Sequence, residues 1–285
     1  PPPLLYMWGT YVPEDLLAVG IVGSRQASDY GCRCASEIAS ALAERGLTVV
    51  SGLAAGIDTS AHKGALRAGG RTIAVLGNGV QICYPRHNKE LAKQVRQSGA
   101  LMSEFPYDTS PLGRNFPPRN RVISGLSLGV VIVEAGDRSG ALHTARYALD
   151  QNRDVFAVPG SVTSETSQGT NALIRDAGAK LITGVEDILE ELDARIEAYR
   201  RELALGAPPE PRRPSAPERP KPAPPADLSN DERSILEALS DEPIHIDELS
   251  RELSVPASRL SSLLGMMELR GLVERTAGTR FRQPI

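Results

Sequence analysis

Short apolar runs and amphipathic stretches alternate along the first two thirds of the chain. Most of the runs are rich in valine, isoleucine and leucine, which is typical of strands buried on both faces. They lie at 17–22, 47–52, 71–77, 101–105, 130–134, 155–158 and 180–183. Because helical patterns separate most of them, we predict an α/β fold, namely an extended Rossmann-like, doubly wound and mostly parallel sheet.

The first run ends at the turn Gly23-Ser24-Arg25, after which Ser28 or Asp29 can cap a helix. Free backbone N–H groups at such a junction favour an anion. Arg25 adds a planar fork of donors that suits phosphate. The alternative is that the glycine merely closes a tight turn between strand and helix.

Polar loops follow several of the other strands. In a parallel sheet these loops lie at the carboxyl ends of the strands, where ligands of this fold class bind. They are Ser51-Gly52, Gly77-Asn78-Gly79, Ser103-Glu104 and 134–140. Their convergence predicts one binding site that is built from several loops.

The segment 114–121 carries three arginines and one phenylalanine, without any acid. Phosphate-binding arginines beside an aromatic ring that stacks on a base are the two components of single-strand recognition. Pro117 and Pro118 predict an extended loop before a helix that starts near Asn120. The alternative is that Phe116 fills the core and that the arginines form a solvated surface.

The last third of the chain contains an acidic helix, a linker and a small domain. Apolar residues recur at helical spacing over 186–203, and nine of the 22 prolines fall within 206–226. Three predicted helices and a two-stranded wing between 229 and 282 form a winged helix-turn-helix pattern. The predicted domains are therefore 1–205, a proline-rich linker at 206–226 and a winged helix at 227–285.

The charge is distributed unevenly along the chain. The total of −3 by itself argues against a polyanionic ligand. However, residues 1–185 carry 18 basic and 15 acidic side chains, while residues 227–285 carry 7 and 11. We therefore expect a polyanion to bind the first block. Because phosphate neutralisation dominates affinity for duplex DNA, we expect the acidic winged helix to contact protein instead.

Several other classes of site have no support in the sequence. The cysteines Cys32, Cys34 and Cys83 are too few and too unevenly spaced for a zinc site or a disulfide framework. The chain has no apolar run of about 18 residues and no signal peptide, which predicts a cytoplasmic protein without a membrane partner. Because the first residue is Pro1 rather than methionine, we expect that an upstream segment is absent.

Seven groups of residues together resemble a known family. They are Gly23-Ser24-Arg25 with 28–31, 51–58 with His62, 75–79 with Tyr84-Pro85, Ser103-Glu104, 116–121, Glu134 with 139–144, and 158–160 with 169–171. In this order they resemble the DNA-processing protein A family (DprA, also called Smf) over about residues 3–200. The C-terminal domain is similar to the accessory winged helix of some members. His143 departs from the family, which commonly has an apolar residue at that position.

The resemblance implies a protein without catalytic activity or a cofactor. Members of the family bind single-stranded DNA, form homodimers, protect incoming DNA and help load the recombinase RecA during natural transformation. They bind DNA through the Gly-Ser-Arg turn and the loop that corresponds to 116–121. We predict that DNA is bound by Gly23, Ser24, Arg25, Ser51, Gly52, Phe116, Arg119, Asn120, Arg121, Ser139 and Gly140. We predict that a homodimer forms through Leu173, Ile174, Leu181 and Ile182.

Two classes of enzyme are alternatives to a DNA-binding protein without catalytic activity. A nucleotide-cofactor oxidoreductase is disfavoured, because the first turn lacks Gly-x-Gly-x-x-Gly and the second strand ends without an acid for a ribose hydroxyl. A nucleotide-hydrolysing enzyme of the lysine-decarboxylase-like (LOG) type shares the fold, and Asp58, Glu104 and Glu134 would supply acid–base chemistry. Its signature Pro-Gly-Gly-x-Gly-Thr is missing. We expect Asp58 to be a helix cap instead.

Overall fold

The structure, a computed structural model, describes residues 1–204, 229–239, 244–253, 255–270, 272–276 and 280–282. The chain divides into two compact units, Pro1–Glu210 and Pro211–Ile285. The predicted linker at 206–226 lies outside the described residues, so the predicted domain boundaries stay a prediction. Within the described part, no helix is long and apolar enough to cross a membrane.

Eight described strands form one sheet in the first unit. They are β1 (Tyr6–Gly9), β2 (Ala18–Val22), β3 (Thr48–Ser51), β4 (Thr72–Leu76), β5 (Ala100–Ser103), β6 (Gly129–Ile132), β7 (Asp154–Ala157) and β8 (Lys180–Leu181). Their order across the sheet is β1-β5-β4-β3-β2-β6-β7-β8. β1 pairs antiparallel with β5, and the other neighbouring pairs are parallel. The predicted mostly parallel, Rossmann-like sheet is confirmed.

Helices cover both faces of this sheet. They are α1 (Asp29–Glu44), α2 (Ile57–Arg67), α3 (Lys89–Ser98), α4 (Phe116–Gly125), α5 (Gly140–Asp150), α6 (Gln168–Arg175) and α7 (Val185–Ala204). α1, α2 and α7 share a core with Val19 and Ile21 of β2, whereas α4 and α5 share a core with Ala18 and Val22. Successive residues of β2 thus face opposite layers, which is why this strand is apolar throughout.

Two elements of the first unit, the strand β1 and the helix α4, differ from the sequence prediction. β1 was not predicted, because three of the four residues of this edge strand are exposed and show no alternation. α4 begins at Phe116 rather than near Asn120. Pro117 and Pro118 lie in the first turn of α4, where the N–H that proline lacks would have no partner within the helix. The segment 116–121 is therefore a helix N-terminus and not an extended loop.

The C-terminal unit has a small core of its own. Its described elements are α8 (Asn230–Ala238), β9 (Ile244–His245), α9 (Ile246–Leu253), α10 (Ala257–Leu269), β10 (Glu274–Thr276) and β11 (Arg280–Arg282). Leu260, Leu264 and Met267 are fully buried in this core, and Leu263 is half-buried. The antiparallel hairpin of β10 and β11 is the predicted wing, and β9 adds a third strand that was not predicted.

Candidate nucleic-acid interface

A cleft opens in the first unit where the strand order of the sheet reverses. β2 and β6 are neighbours there, with β3 on one side and β7 on the other. Ligands of doubly wound sheets bind beyond the carboxyl ends of the strands at such a switch point. The cleft has a volume of about 850 Å³. The turn after β2, the first turns of α4 and α5 and the loop before α6 line it.

The turn Gly23-Ser24-Arg25 forms one wall of the cleft. A Cβ atom on Gly23 would lie 2.6 Å from Ile57 Cγ1 and 2.9 Å from the carbonyl oxygen of Glu134, so this close approach requires glycine. The Ser24 carbonyl oxygen accepts a hydrogen bond from the Ile57 N–H at 3.1 Å. The turn is therefore held against the start of α2, while the Arg25 side chain is exposed at the mouth of the cleft.

Phe116 provides an aromatic surface beside Arg25. The Arg25 guanidinium carbon lies 5.4 Å from the centroid of the Phe116 ring, which is cation–π distance. A Cβ atom on Gly77 would lie 2.8 Å from this ring, so the glycine lets Phe116 approach the backbone after β4. Phe116 is half-buried and lines the cleft. Phe116 is therefore more accessible than a residue that fills the core would be.

Arg119 has a different position, because it is only 5% exposed. Its Nη1 donates to the carbonyl oxygen of Gly52 at 2.8 Å and to the carbonyl oxygen of Val75. One acceptor follows β3 and the other belongs to β4, so Arg119 ties α4 to two strands. The guanidinium touches the floor of the cleft but has protein partners there.

Asp58 and His62 lie near Arg119 in the interior. Asp58 Oδ2 accepts from the N–H groups of Gly52 at 3.1 Å and Ala54 at 3.2 Å. Burial raises the pKa of Asp58 against the opposing charge of Arg119, and burial lowers the pKa of Arg119 to about 10. Burial, with a smaller contribution from Arg119, lowers the pKa of His62 to about 3. Arg119 therefore stays charged at neutral pH, while the imidazole of His62 is neutral.

The prediction that Asp58 caps α2 is wrong. The N-cap of α2 is Gly56, and the Asp58 carboxylate binds the N–H groups of the preceding loop. Of the two predicted caps of α1, Ser28 and Asp29, the N-cap is Ser28. Its Oγ accepts a hydrogen bond from the Gly31 N–H at 3.1 Å. Ser28 also donates to the buried carboxylate of Glu134, which fixes the entry of α1 against β6.

Three more of the predicted contact residues are engaged within the protein. Arg121 forms an ion pair with Glu104. Ser51 is fully buried, and its Oγ donates to the Ile21 carbonyl oxygen at 2.6 Å. Gly52 is buried beneath the Arg119 guanidinium. In this conformation Ser51 and Gly52 cannot contact a ligand, because the loops beside them use and cover their polar groups.

The N-terminus of α5 forms the opposing wall. Ser139 caps this helix, with its Oγ accepting from the Ala141 N–H at 3.3 Å. Asn120 Nδ2 donates to the carbonyl oxygen of Gly140 at 3.1 Å and so joins α4 to α5. Gly140 is exposed, and so is Arg138, which also lines the cleft. The partial positive charge of a helix N-terminus and an exposed arginine therefore lie together here.

The cleft unites eight of the predicted contact residues: Gly23, Ser24, Arg25, Phe116, Arg119, Asn120, Ser139 and Gly140. The exposed cations among its lining residues are Arg25 and Arg138, and Asp137 and Glu165 also line it. Within the described residues, no group of three or more His, Cys, Asp and Glu side chains is placed to hold a metal ion. The arrangement suits an extended, flexible anion that carries aromatic groups.

Comparisons with known proteins agree with this geometry. The family model described as DNA recombination-mediator protein A matches residues 1–193, and the model of the DprA winged helix domain matches residues 219–279. The chain belongs to the DNA recombination-mediator protein A family. The resemblance found in the motifs is thereby confirmed, and so is the winged-helix fold of the C-terminal unit.

Three relatives of the DprA family illustrate the extent of the match. The chain is 37% identical to the protein Smf of Synechocystis sp., over 99% of this chain and 75% of that protein. It is 50% identical to the protein Smf of Escherichia coli, over 67% of this chain and 54% of that protein. It is 43% identical to the DNA processing protein DprA of Streptococcus pneumoniae, over 67% of each chain. The chain thus spans about half the length of the Escherichia coli relative.

Two solved structures of DprA proteins share the fold. The Streptococcus pneumoniae structure superposes with a TM-score of 0.64 at 43% identity and covers 67% of this chain and 66% of that chain. The Helicobacter pylori structure superposes with a TM-score of 0.63 at 31% identity and covers 68% of this chain and 89% of that chain. The latter is described as showing a unique single-stranded DNA binding mode of that protein.

Sequence reasoning missed Arg138 as a cleft residue of this family member. Its position immediately before Ser139-Gly140, in the loop between β6 and α5, was the signal that could have indicated it. His143 is exposed on α5. A polar residue is therefore solvated at this position, and nothing in the structure assigns it a further role.

The four predicted dimer residues have unequal exposure. Leu173 and Ile174 are half-buried on α6, and Leu181 on the edge strand β8 is 45% exposed. Ile182 is fully buried in the core shared with α1, α2 and α7. The prediction for Ile182 is therefore corrected, because this side chain offers no surface to a second copy.

Proposed function

We propose that this chain binds single-stranded DNA in the cleft at the switch point and acts as a recombination mediator. The observation that carries the proposal is the exposed Arg25 guanidinium over the accessible Phe116 ring, at the end of a turn fixed by Gly23. The description of the family as recombination mediators and that of the Helicobacter pylori structure support it.

The cleft has separate groups for the backbone and for the bases. Arg25, Arg138 and the N-terminus of α5 offer positive charge to phosphates. Phe116 offers a ring face on which any base can stack. Because a base pairs or stacks on protein but cannot easily do both, the aromatic component favours single-stranded over duplex DNA. Gly23, Ser24, Asn120, Ser139 and Gly140 complete the lining.

The binding of DNA is tested by titrating the whole chain with labelled oligothymidine and with a duplex of the same length. We expect affinity for the single strand to exceed that for the duplex at every salt concentration. The logarithm of the single-strand affinity should fall linearly with the logarithm of the salt concentration. No saturable binding of oligothymidine at low salt would refute the proposed function.

The family resemblance also supports a proposal about the biological role. We propose that the chain protects incoming single-stranded DNA in the cytoplasm and helps load the recombinase RecA during natural transformation. A DNA-dependent ATPase assay tests the loading step on oligonucleotides already coated with a single-strand binding protein. The chain should shorten the lag before RecA becomes active, and an unchanged lag would contradict the loading role.

We propose a homodimer that uses Leu173 and Ile174 of α6 and Leu181 of β8. β8 is an edge strand of the sheet, and such an edge can be covered by a partner. Sedimentation of residues 1–205 should show a dimer at micromolar concentration. A monomer at that concentration would count against this interface, and Leu181→Lys supplies the variant that should dissociate the dimer.

The role we propose is not enzymatic. In the alternative of a LOG-type hydrolase, Asp58, Glu104 and Glu134 would perform acid–base chemistry. Asp58 instead binds two backbone N–H groups, Glu104 pairs with Arg121, and Glu134 accepts from Ser28 and Thr166. Incubation with mononucleotides should release no free base, and a released base would favour the hydrolase.

We propose that the winged helix contacts protein and adds little to DNA affinity. The residues 227–285 carry 7 basic and 11 acidic side chains, so this segment repels phosphate. A chain that ends at residue 205 should bind oligothymidine within about twofold of the full chain. Tight duplex binding by residues 227–285 at moderate salt would show that this domain reads DNA instead.

A further inference from the structure

Tyr84 is a large exposed aromatic residue next to the cleft, in contact with Phe116. The residue is 42% exposed and does not line the cleft itself. The centroids of the Tyr84 and Phe116 rings are 5.5 Å apart, and the ring planes are inclined by 42°. Phe116 is thus in contact with Arg25 and also with Tyr84, and the aromatic surface continues beyond the cleft.

Two buried asparagines fix the loop that carries Tyr84. Asn78 Nδ2 donates to the Ile82 carbonyl oxygen at 2.6 Å, on the N-terminal side of Tyr84. Asn88 Nδ2 donates to the Leu53 carbonyl oxygen at 2.9 Å and to Thr59 Oγ1 at 2.8 Å, on the C-terminal side. The backbone on both sides of Tyr84 is therefore held in place, which lowers the entropy cost of ordering this loop when a base stacks on the ring.

Positive charge follows Tyr84 immediately along the chain. Arg86 and Lys89 are exposed, and neither side chain takes part in a hydrogen bond or ion pair with the described residues, although the Lys89 N–H donates to the Arg86 carbonyl oxygen. An exposed aromatic ring followed by uncommitted cations repeats the combination of Phe116 and Arg25. This is the combination by which proteins track a single strand, with rings for bases and cations for phosphates.

We propose that Tyr84 is a second stacking platform, which takes the base next to the one on Phe116, and that Arg86 binds the phosphate that follows. The inference rests on the proposed function, because it extends the same DNA path out of the cleft. It predicts a contact that short oligonucleotides do not reach and longer ones do.

The test compares Tyr84→Ala with the unmodified chain over oligothymidines of increasing length. Stacking on one ring is commonly worth about tenfold in affinity. We therefore expect Tyr84→Ala to bind long oligothymidine about tenfold more weakly and the shortest bound oligothymidine equally well. Tyr84→Trp should restore the affinity, since it retains a ring at the same place.

Trp8 supplies the matched control. It is a 43% exposed aromatic residue with the Arg96 guanidinium carbon 4.3 Å from its ring, but it lies on β1 opposite the start of β5, away from the carboxyl ends. Trp8→Ala should therefore leave the affinity unchanged at every length. A loss for Trp8→Ala as large as that for Tyr84→Ala would overturn the inference.

Arg86→Ala provides a second, independent measurement in case Tyr84→Ala disturbs the Phe116 ring. The slope of log affinity against log salt should become shallower by about 0.7 with long oligothymidine and stay unchanged with the shortest one. If Tyr84→Ala and Arg86→Ala bind like the unmodified chain at every length while Arg25→Ala binds weakly, the inference is overturned and the proposed function stands. If the unmodified chain binds no oligothymidine at low salt, the proposed function itself fails.

Discussion

Arg25 and Arg119 line the same cleft but have different surroundings. Arg25 is exposed above the Phe116 ring, with no hydrogen bond to a described residue. Arg119 is 5% exposed, donates to two backbone carbonyl oxygens and faces the buried Asp58. The same side chain therefore offers its charge to a ligand in one place and cross-links strands in the other.

The number of arginines in a segment therefore does not measure its capacity to bind phosphate. A guanidinium whose donors already have protein acceptors would lose those bonds on turning to a ligand. Of the three arginines we expected to bind DNA, Arg25 alone is uncommitted within the described residues, since Arg121 pairs with Glu104. Substitutions at these positions should accordingly separate stability from DNA affinity.

The largest expected effect is that of Arg119→Met on stability. This change leaves the carbonyl oxygens of Gly52 and Val75 without their donor and Asp58 without a nearby positive charge. Leaving a buried acceptor without its donor typically costs about 1–3 kcal/mol for each acceptor. Urea denaturation should therefore show a much lower midpoint at an unchanged slope. A midpoint equal to that of the unmodified chain would mean that Arg119 is not a cross-link.

The second largest effect is a loss of stability at acid pH. We expect it because His62 is buried near Arg119 and Asp58. Its pKa is lowered to about 3 from the ordinary 6.5 by burial and by Arg119, so the folded state favours the neutral ring. The stability that this ring contributes is present above pH 6.5 and is lost progressively as the pH falls towards 3, because the unfolded chain then binds the proton. The urea midpoint should fall between pH 6.5 and 4, and His62→Gln should remove most of that fall. An identical fall in the variant would exclude His62 as its cause.

Arg25→Ala should show the opposite behaviour to Arg119→Met. An exposed side chain without hydrogen bonds contributes within about 0.5 kcal/mol to the free energy of unfolding. Affinity for oligothymidine should nevertheless fall, by about five- to tenfold, because a charge-assisted contact with phosphate is lost. Arg67→Ala is the matched control, since Arg67 is exposed in the last turn of α2, away from the start of that helix beside the cleft.

Arg121→Ala should have the smallest effect. Its ion pair with Glu104 is partly exposed, with 34% and 17% of the two side chains accessible. Pairs of this kind contribute about 0–1 kcal/mol. We expect a loss of stability below about 1 kcal/mol and an affinity for DNA within about twofold of the unmodified chain. A tenfold loss of affinity would show that Arg121 leaves Glu104 to bind phosphate.

The sheet and the location of the cleft could be predicted from the sequence, because they follow from local patterns. Apolar runs such as 17–22 identify strands buried on both faces, and the order of strands and helices places their polar loops at one edge. The half-exposed β1 gives no such pattern. The N-terminus of α4 was misplaced because proline is equally compatible with a loop and with the first turn of a helix.

The roles of the arginines could not be predicted, because they depend on distant contacts. The acceptors of Arg119 lie 67 and 44 residues away along the chain, at Gly52 and Val75. Nothing in the sequence around these residues shows that Arg119 is buried, that Arg121 forms an ion pair and that Arg25 is exposed. Their difference arises only when α4 packs across the ends of β3 and β4.

The salt dependence of binding by Arg25 variants tests the central claim most directly. Affinity for oligothymidine is measured between low and moderate salt for the unmodified chain, Arg25→Ala, Arg25→Lys and Arg67→Ala. Each phosphate neutralised on a single strand contributes about −0.7 to the slope of log affinity against log salt. We predict that the slope for Arg25→Ala is shallower than that of the unmodified chain by about 0.7. Arg25→Lys and Arg67→Ala should keep the slope of the unmodified chain. An Arg25→Ala variant with the slope and affinity of the unmodified chain would contradict the placement of the DNA site in this cleft.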